Sequence, residues 1–502
     1  MTPNDAHGSR LASRPVLHVL RVTIEARSPL SVGGGEDASI YDTALLRDAN
    51  GLPTIQGASL AGALRHRLAL NAPEAADLLF GFETEHDLTG SAARLQFSFG
   101  RVLDSKGIPV QGLLDEAVIT GDELLRHYRL AAPLLRDHVA IDARGVADER
   151  KKHMRGAVPR GTRFAFEITM WGTVGEAAND RRHLQLLLGL LSEPTFRLGG
   201  ATLRGYGQIA IMRTAYRAID VGVDSPAAVR RLRLSLLGQP SDFEPFAPAA
   251  PEHAHAVVTG NLRLNPVGVW RIGQGSTAFV QGESKASAHP LTEPLVEWVD
   301  TTGATTGRLR KAATVSDTGH VTFAVPASAI KGALAHRTIY HYRRLAGDMI
   351  VVDENGLISG AKPASLAAQA DAETTGLDEL FGSAKSRDEA ARSDTGTGGD
   401  RGKAGVLLID DSEVVVPKSA VIRIEHNSID RFTGGARGGL LFAEECVLGG
   451  DFEVTFRLLR DVSPKLKHAG GLALQDMCQG RMALGATRLG VAAGTVEWDS
   501  VG

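Results

Sequence analysis

Cysteine is nearly missing from this chain: Cys446 and Cys478 are the only two among 502 residues. No C-x-x-C occurs, so a four-thiolate zinc site and a disulfide framework are both excluded, and a reducing cytoplasm is the expected compartment. The sixteen histidines include no H-E-x-x-H, and zinc is not expected. Long apolar runs are missing too. The longest, LQLLLGLL at 184–191, is far shorter than the ~20 residues that cross a bilayer. The opening MTPNDAHGSRLASRP has no apolar segment of the secretory kind, so neither export nor membrane attachment is expected. An excess of one charge is also lacking: 55 basic residues face 58 acidic ones, for a net charge of −3. Any nucleic-acid binding must therefore come from local basic clusters.

What the chain has in quantity is glycine, 57 residues, against aromatics at only 5%. Glycine lets a backbone approach a ligand closely and turn where other residues are strained. The apolar fraction of 43% and charged fraction of 23% fit a globular protein and exclude disordered or collagen-like chains. The length corresponds to two or three domains at roughly 150 residues each.

The sequence repeats itself. His138 aligns with His426, and without gaps Ile141 meets Ile429, Asp142 meets Asp430, Gly161 meets Gly449 and Phe164 meets Phe452. TIQGASLAGALRHR at 54–67 matches FAVPASAIKGALAHR at 323–337, and LFG follows each, at 79–81 and 380–382. Each half opens with a strand running into glycines, LSVGGG at 30–35 and WRIGQG at 270–275. Each closes on a glycine turn, FRLGGATLRGYGQIAI at 196–211 and RMALGATRLGVAAGTV at 481–496. Five blocks in one order twice indicate a duplication. We therefore expect a first unit at 15–215, a Pro/Ala-rich linker at 216–255, and a second unit at 256–502 with insertions near 276–322 and 345–404. RFAFEITMW and DFEVTFRLL alternate with period two and read as strands. One clear helix follows each glycine block, with Ser59 and Ser328 as expected N-caps. Strands at both ends with a helix after the first suggest an α+β unit of ferredoxin-like type.

Several motifs lack their companions. Gly273-x-Gly275-x-x-Ala278 matches a dinucleotide fingerprint, but Gly282 and Pro290 interrupt the helix it must open. Ser328-Ala-Ile-Lys331 has no S-D-N or K-T-G beside it. GGDRGK at 398–403 ends in Ala404, where a P-loop needs a hydroxyl. The basic clusters carry more. Arg65, His66 and Arg67 lie on one helix, and Lys331, His336 and Arg337 on its counterpart, each close behind a glycine-rich turn. Helix N-terminal N–H groups with adjacent Arg and Lys form a phosphate grip. ERKKHMR at 149–155, with Lys151 and Lys152, and Arg204 in the first glycine turn, add to the set. An ordinary solvated charged face is the alternative reading of all of them.

In this order, LSVGGG, DTALLRDANGLPTIQGASLAGALR, LFG, IDARGVADERKK with GTRFAFEI, and FRLGGATLRGYG resemble the RAMP superfamily, and most of all the backbone subunits of type III CRISPR effector complexes. Two such units in tandem resemble the type III-D variants with fused subunits. The sequence departs from the usual I-P-G-S-S-L-K-G at Gln56 and Ala61, and RLGVAAG copies the glycine loop poorly. The resemblance implies RRM-like units, each an antiparallel sheet with helices and a protruding thumb hairpin, here near 138–163 and 426–451. It implies CRISPR RNA, complementary target RNA, other RAMP-type subunits and the complex's large subunit as partners, with sequence reading left to base pairing.

Where relatives cut target RNA, an Asp lies between the first glycines and the helix, which places it at Asp42. A carboxylate there can take a proton or hold Mg²⁺ while a flipped nucleotide's 2′-hydroxyl attacks its own phosphate. Hydrogen bonding of a turn is the plainer role for the same residue. In the second half no residue aligns with Asp42 without gaps. Glu293, Glu297 and Asp300 in HPLTEPLVEWVD are the acidic candidates, and Glu293 and Asp300 are weaker catalytic candidates than Asp42. The same segment also reads as a strap docking a neighbouring subunit through Leu291, Leu295 and Trp298. A non-catalytic backbone subunit, and a stand-alone CRISPR RNA-processing endoribonuclease using His66, His138 or Tyr206, are the competing expectations.

Overall fold

The computed structural model describes residues 15–33, 43–83, 90–141, 147–220, 243–249, 256–273, 275–280, 286–301, 304–346, 377–382, 403–484 and 491–499. Two antiparallel sheets organise the chain. In the first, strand β1 (Val16–Ala26) is central, between β2 (Arg163–Gly172) and β3 (Ile209–Asp220). In the second, β4 (Val258–Val267) is central, between β5 (Phe452–Leu458) and β6 (Val491–Asp499). The first strand of each half is thus flanked by the strand that follows its hairpin and by its last long strand. This is the repeat expressed as topology, and the class is α+β with ferredoxin-like units.

Local pattern accounts for these elements. Along β2 burial alternates at every residue, with Phe164, Phe166, Ile168 and Met170 inside. Phe452, Val454, Phe456 and Leu458 do the same on β5. Helix α1 (Gly57–Ala69) buries Leu60, Leu64 and Leu68 at spacings of four against the first sheet. Each such leucine contributes about 1.5–3 kcal/mol by leaving water. Helix α2 (Ala177–Leu191) supplies Leu184, Leu187, Leu188 and Leu191 to the same core. Their counterparts α3 (Ala327–Ala346) and α4 (Pro464–Cys478) pack on each other and close the second core through Ile330, Leu334, Leu466 and Met477.

The expected serine caps are corrected. Ser59 is the third residue of α1, whose N-cap is Gln56 with no side-chain bond. Ser328 lies inside α3, and the Ala327 N–H donates to Asp411 Oδ1 at 2.8 Å, so the cap comes from a residue far along the chain. The segment read as a linker is partly built into the first unit. Strand β3 runs to Asp220, and Phe246 lies in the first core while Glu244 and Tyr216 exchange backbone hydrogen bonds.

From each sheet a long hairpin projects, Leu134–Ile141 with Ala147–Ala157 and Val421–Ile429 with Ala436–Leu448. Both start a few residues earlier than the sequence suggested. A third hairpin, Leu295–Thr301 with Ala304–Arg310, lies in the first expected insertion. It docks on the first half of its own chain, which corrects the reading of a strap for another subunit. Val296 N donates to Arg160 O at 2.9 Å, Trp298 Nε1 donates to Gly161 O at 2.8 Å, and the Arg163 guanidinium stacks 4.1 Å above the Trp298 ring. Gly161 has φ 84°, and a Cβ there would sit 1.9 Å from Val296 O, so the docking requires glycine. Leu291 stays with its own half, accepting from Ala324 N at 2.9 Å.

Candidate nucleic-acid interface

Strand alternation puts every second residue of a hairpin on one face. On the first hairpin the register pairs Leu134 with Ala157, Arg136 with Arg155 and His138 with His153. One face therefore carries two arginines, then two histidines. The histidine rings stack at 5.0 Å between centroids. The glycine turn at 198–207 lies across this face. Tyr206 is fully buried there and shares a 2.9 Å hydrogen bond between its Oη and His138 Nε2. Arg204 Nη1 lies 3.2 Å from His153 Nε2. Arg155 Nη1 reaches Ser31 Oγ at 3.5 Å and passes 2.9 Å from where a Cβ of Gly200 would stand. The 43–45 segment joins the cluster through a parallel bridge from Thr43 to Arg155 and a bond from Gly156 N to Thr43 O at 3.1 Å.

The charges divide into spent and unspent. Arg136 is buried and binds Glu293 through two bonds of 2.5 and 2.7 Å, and Asp411 through an ion pair of 2.7 Å. This node joins the halves. Burial pushes the Asp411 carboxyl up to about 6, against the pull of Arg136, which is itself held above its ordinary value by the two acids. Among the described residues no carboxylate pairs with Arg155 or Arg204. His138 registers the result: burial first, then the positive charges of His153, Arg204, Arg136 and Arg155, push it down to about 3. At neutral pH it is an uncharged imidazole. Burial pushes Tyr206 up to about 12, so it keeps its proton.

The second hairpin repeats the frame with other residues. Its register pairs His426 with Phe442, Ile424 with Glu444, Arg423 with Glu445 and Ile422 with Cys446. His426 and Phe442 stack at 4.8 Å, as the two histidines do in the first half. Glu444 stands where Arg155 stands, and takes His426 Nε2 at 2.8 Å and Arg271 Nη2 at 3.1 Å. Glu445, fully buried at the position of Gly156, accepts from Phe279 N, Val280 N and His289 Nδ1 at 2.6–3.0 Å. Glu445 N donates to Ala288 O at 2.9 Å, matching the bond from Gly156 N to Thr43 O. Ala288 is therefore the counterpart of Thr43, and Ser287 occupies the place that precedes it.

The residues singled out in the sequence are only partly gathered here. Asp42 and the glycines after Gly33 lie outside the described residues, though Thr43 anchors one end of that segment in the cluster. Arg204 is in the cluster. Lys152 is exposed beside it and pairs with Asp137 at 2.8 Å; Lys151 is on the same strand, its side chain outside the described set. The helix grips are corrected. Lys331 is buried and donates to the Leu203 and Leu407 carbonyls at 3.1 and 3.0 Å, which leaves it no reach to a phosphate; burial and Arg204 lower it to about 8. Arg67 is tied to Glu193 at 2.6 Å and to Thr195. Arg337 pairs with Asp476 at 2.5 Å, holding α3 to α4. Arg65 pairs with Asp77 at 3.1 Å on the surface, and His66 and His336 are exposed. Glu293 is spent on Arg136, Glu297 pairs with Arg310 at 3.2 Å, and Asp300 accepts from Thr305 Oγ1 at 2.7 Å. None of these three acids directly precedes Ala288, the counterpart of Thr43; Ser287 does. The sequence reading missed Arg155 and His153, which ERKKHMR contained and which period-two alternation would have set opposite Arg136 and His138.

Residues 23–210 match the family model of the RAMP superfamily. The match covers the last four residues of β1, then α1, the whole first hairpin, β2 and the glycine turn. It ends as β3 begins. No curated protein matches the chain. The cationic cluster thus belongs to the RAMP-matched half, and the contrasting acidic one to the half beyond the match. Among the described residues no three His, Cys, Asp or Glu side chains gather as a metal site, and no helix is long and apolar enough to cross a membrane.

Proposed function

We propose that the chain is a CRISPR RNA-binding backbone subunit of a type III interference complex, built as two RAMP-type units in tandem on the type III-D plan, and that its first unit also cuts guide-paired target RNA with Asp42. The observation that carries this reading is the pair of register-equivalent hairpins on two like sheets, in a chain whose first half matches the RAMP superfamily. Two units on one frame suit a ligand with a repeating backbone. Arg155 and Arg204 beside the first hairpin, which no carboxylate of the described residues pairs, suit its phosphates. Other RAMP-type subunits and the large subunit are the protein partners of this reading, and base pairing to the guide supplies its specificity.

In the cut, the 2′-oxygen attacks the adjacent phosphorus and the bond to the 5′-oxygen breaks; Asp42 takes the 2′ proton and the leaving oxygen gains one from water. Mg²⁺ at the phosphate belongs to the same reading, although no cluster of described residues is formed to hold it. A stand-alone processing enzyme fits less well, because two of its three candidates, His138 and Tyr206, are buried, with Tyr206 raised to about 12 and His138 depressed to about 3. Both are far from the neutral range a general acid–base needs.

The test is Asp42→Ala in the assembled complex with guide and target RNA. We expect one target product to vanish, guide retention to stay normal, and a chelator to stop all cutting. A full product ladder from the variant overturns the assignment of Asp42. Cutting of repeat RNA by the purified chain alone overturns the subunit reading.

A further inference from the structure

We infer that the hairpin bases of the two halves are unequal toward RNA: Arg155, Arg204 and His153 form a phosphodiester site in the first half, and the second half has closed the equivalent site upon itself. This rests on the RNA-binding reading above and adds to it which half grips and why.

The first observation is a cation pair with no carboxylate partner among the described residues. Arg155 and Arg204 approach the same turn, from the hairpin and from the glycine loop, and no carboxylate of the described residues pairs with either. Arg155 Nε is buried with no hydrogen-bond partner among the described residues, although a guanidinium in such a place normally spends its donors. Arg204 is exposed and His153 half-buried, so an incoming anion has access. Gly200 lets the Arg155 guanidinium pack against the glycine turn, since a Cβ there would stand 2.9 Å from its Nη1. The depression of His138 agrees with an uncompensated positive field at this point.

The second observation is the counterpart. At the position of Arg155 stands Glu444, and its carboxylate already binds Arg271 and His426. Arg271 in turn spends Nη1 on the Gly273 carbonyl at 2.7 Å. A phosphate arriving there would meet a carboxylate on a cation that is already paired. Among the described residues, the same frame thus presents two arginines without a carboxylate in one half and a carboxylate-bound arginine in the other.

The test is binding of a fluorescent single-stranded RNA oligomer to the full chain across a salt series. Arg155→Gln and Arg204→Gln should each weaken binding about five- to tenfold and lower the salt slope by about 0.7 per lost contact. Arg155→Lys should keep most of the slope. Lys106→Gln, on an exposed turn elsewhere, should change nothing. Glu444→Gln should strengthen binding a few-fold and steepen the slope, because Arg271 is released. Arg204 is exposed, so its variant reports even where Arg155→Gln folds poorly. Unchanged affinity and slope in Arg204→Gln and Glu444→Gln would overturn the inference while leaving RNA binding intact. A wild-type chain that binds no RNA would overturn the reading beneath it. Equal competition by free inorganic phosphate and by RNA would show a simple anion site and overturn the assignment to RNA.

Discussion

The two hairpins share a ladder and a stacked ring pair, yet they differ in what they do with charge. On the first, Arg136 is turned inward to Glu293 and Asp411, while no carboxylate of the described residues pairs with Arg155. On the second, Ile424 and Glu444 take those places, and Glu444 absorbs the nearest cation. Duplication preserved the pleat because the sheet cores demand it; the faces that meet no core were free to diverge. The loops beneath them show the same split. Gly156 gives the 43–45 segment only a backbone bond, whereas buried Glu445 fastens the 279–289 segment with three donors.

The comparison is broken most severely at Arg136. Removing its guanidinium leaves two carboxylates at the junction without their cation, and loss of one partner of a buried pair costs about 3–5 kcal/mol. Arg136→Ala should therefore lower the unfolding free energy measured in urea by that amount and expose the Leu295–Arg310 hairpin to protease. The matching change Ile424→Ala should cost about 1–2 kcal/mol, because only packing is lost at a half-buried site. Equal losses at the two positions would mean that the node does not join the halves.

A smaller effect is expected at Glu445. Glu445→Gln keeps the shape but turns an amide N–H₂ toward donors, so at least one of three charge-assisted bonds is lost, at about 1.5–3 kcal/mol. Amide exchange at Phe279 and Val280 should quicken while that of β5 stays slow. Protection of those two amides in the variant would show that the second-half loop is held by something other than this carboxylate.

The core was legible from sequence because burial there follows local periodicity: Phe164 to Met170 and Leu60 to Leu68 read directly. The site was not, because its partners are distant in the chain. Arg67 looked like a phosphate grip, and Glu193, 126 residues on, decides otherwise. Lys331 looked like its twin until the Leu203 and Leu407 carbonyls claimed its donors. The α3 cap, Asp411, lies 84 residues beyond the helix start. The hairpin faces required strand register, which no single segment carries. Ser287 could not be matched to Asp42 because the second half's insertion interrupts the alignment, and only the paired bonds to Thr43 and Ala288 restore it.

The mildest expected effect, and the one most specific to the first hairpin, is on pH. His138 has a folded value of about 3 against an ordinary 6.5, lowered by burial and then by its cationic neighbours. Between those values the unfolded chain binds a proton that the folded chain refuses, so stability is lost as pH falls from 6.5 toward 3 and regained as it rises. The slope is at most about 1.4 kcal/mol per pH unit. His138→Asn removes that proton and should flatten the acid limb of the stability curve by up to one proton. Arg204→Gln withdraws one of the charges that depress the imidazole, so its resonance should titrate at a higher pH than in the wild type without reaching 6.5, since burial remains. A His138 resonance that titrates at the same pH in Arg204→Gln as in the wild type would mean that Arg204 lays no net charge on the imidazole, and the contrast between the two hairpins would go with it.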